Sequence, residues 1–116
     1  MSLAQKFLLL FSGCTTAHGQ TTVLDSARNG KMNAKSFIVR EALTVDLVEQ
    51  HLKGERGIGS IPIDEYNKCV FGALDIDDYN LDLIALKNKI DRLKLPLVVC
   101  RSKSGGAHCF LFVKEK

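Results

Sequence analysis

Three short stretches hold the residue types that do chemistry: Asp75-Ile76-Asp77-Asp78, Arg101-Ser102-Lys103-Ser104-Gly105-Gly106, and His108. Two neighbouring carboxylates at the end of a strand repel each other unless a cation lies between them, so Asp75 and Asp77 read as a divalent metal site; the bland alternative is a solubilising strand end. Around Gly105-Gly106, the side chains of Arg101, Lys103, Ser102 and Ser104 bring cations and hydroxyls to one turn, with backbone N–H groups between them. Anionic phosphate recognition needs that mixture. Glycine also lets the backbone take φ > 0 and come close to a ligand, although a plain tight hairpin would use the two glycines as well. His108, just beyond the turn, can donate to a phosphate oxygen or serve as an acid or base.

Short apolar runs position these groups. Cys69 to Ile76 ends in the acidic cluster, Leu97 to Cys100 ends in the basic turn, and Cys109 to Val113 follows His108. Side chains alternate across a strand, which predicts Phe71, Ala73, Asp75 and Asp77 on one face and Val70, Gly72, Leu74 and Ile76 on the other. Between the first two runs, Leu83, Leu86, Ile90 and Leu93 recur at helical spacing. The expected helix spans Leu81 to Leu93, with Asn80 as its cap and Pro96 beyond its stop. Strand, helix, strand at this spacing predicts a βαβ unit whose two strands lie adjacent and parallel, so that Asp77 and Arg101 emerge at the same edge of the sheet.

Upstream, Phe7 to Phe11 reads as a short buried strand. Cys14 to Asn33 reads as loop, with a short strand at Thr21 to Leu24 and a turn at Arg28-Asn29-Gly30-Lys31. His18-Gly19 falls in that loop, where a solvated histidine is expected, and Phe37 to Val39 reads as another short strand. A helix is expected over Val45 to Lys53, capped by Thr44 and stopped by Gly54, with Asp46 in its first turn and His51 partly packed. Arg56 to Pro62 reads as a glycine-bearing turn leading into an extended piece.

At 116 residues, 46% hydrophobic and 25% charged, the chain has the length and composition of one ordinary globular domain. A net charge of +3 permits an anionic partner without requiring one. The four cysteines form no CxxC pair and fall mostly inside apolar runs, which predicts reduced thiols in a cytoplasmic protein and no structural zinc. Lys6 followed by FLLLFSGC imitates a lipoprotein signal, but its apolar run is shorter than the roughly 7 to 15 residues of an export signal. No stretch approaches the roughly 18 apolar residues of a membrane span, so no membrane partner is expected.

Taken in chain order, the motifs resemble the archaeo-eukaryotic primase superfamily, in particular the primase-polymerase branch of phages, plasmids and conflict systems. The resemblance rests on Phe11, Gly13 and His18-Gly19, on GIGSIPI from Gly57, on ALDIDDYN from Ala73, and on RSKSGGAHCFLF from Arg101. It implies an α+β chain in which an N-terminal α/β unit (1–67) precedes the opening β-α-β-β of an RNA-recognition-like palm (68–116). The implied activity is nucleotidyl transfer from NTPs or dNTPs on a single-stranded DNA template, in replication or repair. In the resemblance Asp75 and Asp77 hold Mg²⁺ or Mn²⁺, while Arg101, Lys103, Ser104, Gly105, Gly106 and His108 bind the triphosphate. The implied partners are the remainder of the primase or a helicase. Two departures stand out. Many members have Ser where this chain has Gly106, and the family's third motif, a hydrophobic residue followed by a metal-binding Asp, has no counterpart here. A piece lacking that carboxylate is expected to be incomplete for catalysis.

Two other readings compete. GGAHCFLFV loosely imitates the aromatic strand of a non-catalytic RNA-recognition-like module, in which Phe110 and Phe112 would stack bases. A replication-initiator nuclease would need a second His near His108 and a nucleophilic Tyr, and neither spacing is present.

Overall fold

The structure, a computed structural model, describes residues 1–28, 31–102 and 105–114, without the side chains of 23–28 and 31–33. It is a mixed α+β protein with two antiparallel sheets, one in each of two compact units, Met1–Cys69 and Val70–Lys116.

The first unit opens with a helix where a strand was expected. In α1 (Leu3–Leu10) the Ser2 side chain accepts from the Gln5 N–H while the Gln5 side chain accepts from the Ser2 N–H. This reciprocal cap starts a helix through the Leu-rich run, which holds no β-branched residue to oppose it. The segment that follows, expected to be loop with short strands at Thr21 to Leu24 and Phe37 to Val39, is a long hairpin that contains both, of β1 (His18–Arg28) and β2 (Lys31–Val39), paired from His18↔Val39 to Arg28↔Lys31. Asn29 and Gly30, where the turn was expected, lie outside the described residues. Polar Thr, Ser and Asn side chains hide the strand alternation here. The predicted glycine turn contains a third strand, β3 (Gly57–Gly59), which adds to β1 in the order β2-β1-β3. A Cβ at Gly57 would lie 2.9 Å from Thr21 Cβ, so the close pairing of these strands requires glycine there. The second helix, α2 (Val45–Leu52), matches its sequence signals. Thr44 accepts from the Leu47 N–H at 3.2 Å, Gly54 has φ of 78° just past the end, and Val48 is buried.

His18 is also corrected. It begins β1 and is buried, at 1% exposure. Its Nδ1 donates to the Glu41 carbonyl at 2.6 Å, which leaves Nε2 to accept from the Gln20 amide at 3.0 Å. Gln20 Oε1 in turn accepts from Arg56 Nη1 at 2.6 Å. Both ring nitrogens are satisfied, as burial demands.

The second unit runs β4 (Phe71–Ile76), α3 (Leu83–Arg92), β5 (Val98–Arg101) and β6 (Ala107–Phe112). Its sheet order is β4-β6-β5, with β6 antiparallel to both neighbours. The strands joined by the helix therefore run in the same direction, as expected, but they are not adjacent. After β5 the chain folds straight back as a hairpin, and the apolar β6 takes the central place. Asp82, not Asn80, caps α3, accepting from the Ala85 N–H at 3.0 Å. Asn80 instead belongs to the preceding turn, where its N–H donates to the Asp78 carboxylate at 3.1 Å. Ile90 is buried and Leu83 and Leu86 are half-buried, while Leu93, placed on the same stripe, is exposed. Among the described residues no helix is long and apolar enough to cross a membrane.

Candidate functional site

Strand register brings the chemical residues together at one end of the second unit's sheet. The last rungs are Asp75↔His108↔Cys100 and Ile76↔Ala107↔Arg101, each reading across β4, β6 and β5. Directly opposed residues of antiparallel strands share a face, so Phe71, Ala73 and Asp75 lie on the face of Phe112, Phe110 and His108. This is the face that alternation predicts for Asp75. His108 Nε2 lies 3.3 Å from Asp75 Oδ1, with the two side chains 46% and 60% exposed. A contact so open to water contributes at most about 1 kcal/mol.

Other expected members stand differently. β4 ends at Ile76, so Asp77 lies beyond the strand and takes no face from its alternation. Arg101 is exposed at the same sheet end, but its rung places it on the opposite face from His108. Lys103 and Ser104 lie outside the described residues. Asp78 is occupied in the turn, accepting from Asn80 through its carboxylate and from the Leu81 N–H through its carbonyl at 3.2 Å.

The glycine turn closes the β5–β6 hairpin. Ser102 N–H donates to the Gly106 carbonyl at 3.0 Å, and Gly105 N–H donates to the Ser102 carbonyl at 3.2 Å. Those two N–H groups are used by the turn itself, so neither is free to donate to a ligand. The glycines also have a positional reason. Gly105 adopts φ of 95°, a conformation that glycine takes at little cost. A Cβ at Gly106 would run into the backbone carbonyl oxygen of Ile76, and one at Gly105 would lie 3.7 Å from the Tyr79 carbonyl oxygen. The acidic loop and the glycine turn therefore touch. The same collision accounts for glycine rather than Ser at position 106.

Two neighbours of the site were not singled out in the sequence. Cys100, read only as part of an apolar run, stands exposed opposite His108 on the shared face. Tyr79 projects from the loop that lies against the turn. Neither has a type-and-spacing signal of its own; only the pairing register and the loop contact reveal them.

For a divalent cation, exposed Asp75 and Asp77 offer hard oxygen donors of the kind Mg²⁺ and Mn²⁺ take. Among the described residues, no group of three or more His, Cys, Asp or Glu is placed to hold a metal ion. The set fits the mode in which one or two carboxylates share the ion with substrate phosphates.

Comparison with known proteins adds one match. Residues 14–116 match the family model described as TOTE conflict system, Archaeo-Eukaryotic Primase domain. No curated protein and no solved structure matches the chain.

Proposed function

The chain belongs to the archaeo-eukaryotic primase domain family of TOTE conflict systems, and on that premise we propose that its second unit binds nucleoside triphosphates for metal-dependent nucleotidyl transfer. The proposed substrates are NTPs or dNTPs, added to a nucleic-acid 3′ hydroxyl on a single-stranded DNA template. The observation that supports this reading most strongly is the rung Asp75↔His108, closed at 3.3 Å beside the glycine turn. Asp75 and Asp77 hold Mg²⁺ or Mn²⁺ together with the phosphates. Such an ion, when bound, neutralises charge on the phosphoryl oxygens. His108 donates to a triphosphate oxygen from the face it shares with Asp75, and Arg101, which stands on the opposite face, reaches the phosphates around the end of β5. Lys103 and Ser104 supply further donors, while Gly105 and Gly106 let the turn lie close to the acidic loop. The proposed partners are the template strand and a helicase or other part of a primase, inside the cell.

A His108→Ala, Lys103→Ala double variant tests the phosphate contacts. Charge-assisted hydrogen bonds contribute about 1.5 to 3 kcal/mol each, so loss of two should lower nucleotide affinity about a hundredfold or more. His108 is exposed, so the circular dichroism spectrum should not change. Unchanged affinity in the double variant would reduce the glycine turn to a hairpin.

One observation favours a second reading, a non-catalytic nucleic-acid-binding module. The half-buried Phe110 and Phe112 lie on the central strand, ring centroids 6.1 Å apart, on the face of His108. Aromatics on a central strand are how RNA-recognition sheets stack bases. Single-stranded nucleic acid bound tightly by a chain with no affinity for triphosphates would favour it.

A further inference from the structure

The phosphate and metal contacts of the proposed site say nothing about what holds the rest of a nucleotide. In the second unit the described aromatic rings are Phe71, Tyr79, Phe110 and Phe112, and Tyr79 is the exposed one, at 63%. It sits inside a turn that Asp78 closes twice, with the Asn80 N–H at 3.1 Å and the Leu81 N–H at 3.2 Å. The backbone at Tyr79 is thus fixed by its neighbours and not by its own ring, which is left available. Position matters as much as exposure. The Tyr79 carbonyl oxygen lies 3.7 Å from where a Cβ on Gly105 would be, so the loop carrying the ring borders the glycine turn. Two residues earlier in the same loop comes Asp77, and the strand before it carries Asp75 to His108.

Resting on the nucleotide-binding reading, we infer that Tyr79 is the base-recognising residue of the site, its ring stacking on the nucleobase of a triphosphate held at Asp75, Asp77 and His108. Stacking on an aromatic face accepts every base, because each presents a π-surface. The site therefore takes purine and pyrimidine nucleotides alike. The phenol hydroxyl is not needed for this contact.

Calorimetric titration of the whole chain in Mn²⁺ separates the base from the phosphates. ATP, dTTP and inorganic tripolyphosphate would each be titrated into wild type, Tyr79→Ala and Tyr79→Phe. Wild type should bind all three, with the nucleotides tighter. Tyr79→Ala should lose about ten- to a hundredfold in affinity for both nucleotides, the range that base stacking covers, and keep its tripolyphosphate affinity within about twofold. Tyr79→Phe should match wild type. The inference is overturned if Tyr79→Ala binds nucleotides normally, if it loses tripolyphosphate and nucleotides equally, or if wild type holds tripolyphosphate as tightly as ATP. A wild type that binds neither overturns the nucleotide reading itself, and the inference with it.

Discussion

Asp75→Asn should remove the gain in nucleotide affinity that Mn²⁺ is expected to give the wild-type chain. The substitution keeps the shape of the side chain and its place opposite His108 but deletes the charge that a hard divalent cation requires. The chain offers two carboxylates for the ion, so losing one halves the protein's charge at the site. Wild type should bind dATP at least about tenfold tighter with Mn²⁺ than without, a difference of about 1.4 kcal/mol. In Asp75→Asn the two titrations should coincide. The fold should change little, because the contact with His108 is exposed and contributes at most about 1 kcal/mol. A full Mn²⁺ effect in the variant would place the ion elsewhere.

Gly106→Ala should destabilise the second unit by about 2 to 3 kcal/mol, the cost of forcing atoms into a packed position. The new methyl group would strike the Ile76 carbonyl oxygen, which is backbone and cannot swing aside as a flexible side chain would. Relief requires parting the glycine turn from the end of β4, so nucleotide affinity should fall along with stability. Gly72→Ala provides the opposite case on the same strand pair. Nothing lies within 4 Å of a Cβ there, and the backbone φ is not positive. Alanine at 72 should therefore be neutral or stabilise by up to about 1 kcal/mol, through the smaller entropy of the unfolded chain. Urea denaturation of both variants measures the contrast. Equal midpoints would mean that the turn is not packed on β4.

The two units were unequally legible in the sequence. In the second, each apolar run is short, flanked by charge or glycine, and separated by a helix with a clear stripe, so strands, helix and the face of Asp75 could all be read. Sheet order could not. Whether β6 inserts between β4 and β5 depends on which edge the hairpin returns to, and no local pattern records that. Asn80 misled because Asp82 competes for the same cap and Asp78 draws Asn80 into a turn. In the first unit, Leu8-Leu9-Leu10 has no period to distinguish helix from strand, and the deciding signal was the Ser2–Gln5 cap, which precedes the apolar run. β1 and β2 were read only in part, as short strands at Thr21 to Leu24 and Phe37 to Val39, because the rest of their sequence is mostly polar. The same polarity made His18 look solvated, although Gln20 and the Glu41 carbonyl satisfy it in burial.

On the proposed reading, metal and triphosphate meet where β4, β6 and the glycine turn converge. Paramagnetic broadening in an amide NMR spectrum tests it most directly, since Mn²⁺ bleaches nearby signals whatever the activity. With dATP present, substoichiometric Mn²⁺ should broaden Asp75 to Tyr79 and Gly105 to His108 first, while the amides of Phe71 and Phe112, at the far end of the same sheet, keep their intensity longest. Broadening that begins at Phe71 and Phe112, or that spreads evenly over the second unit, would contradict the assignment of the site.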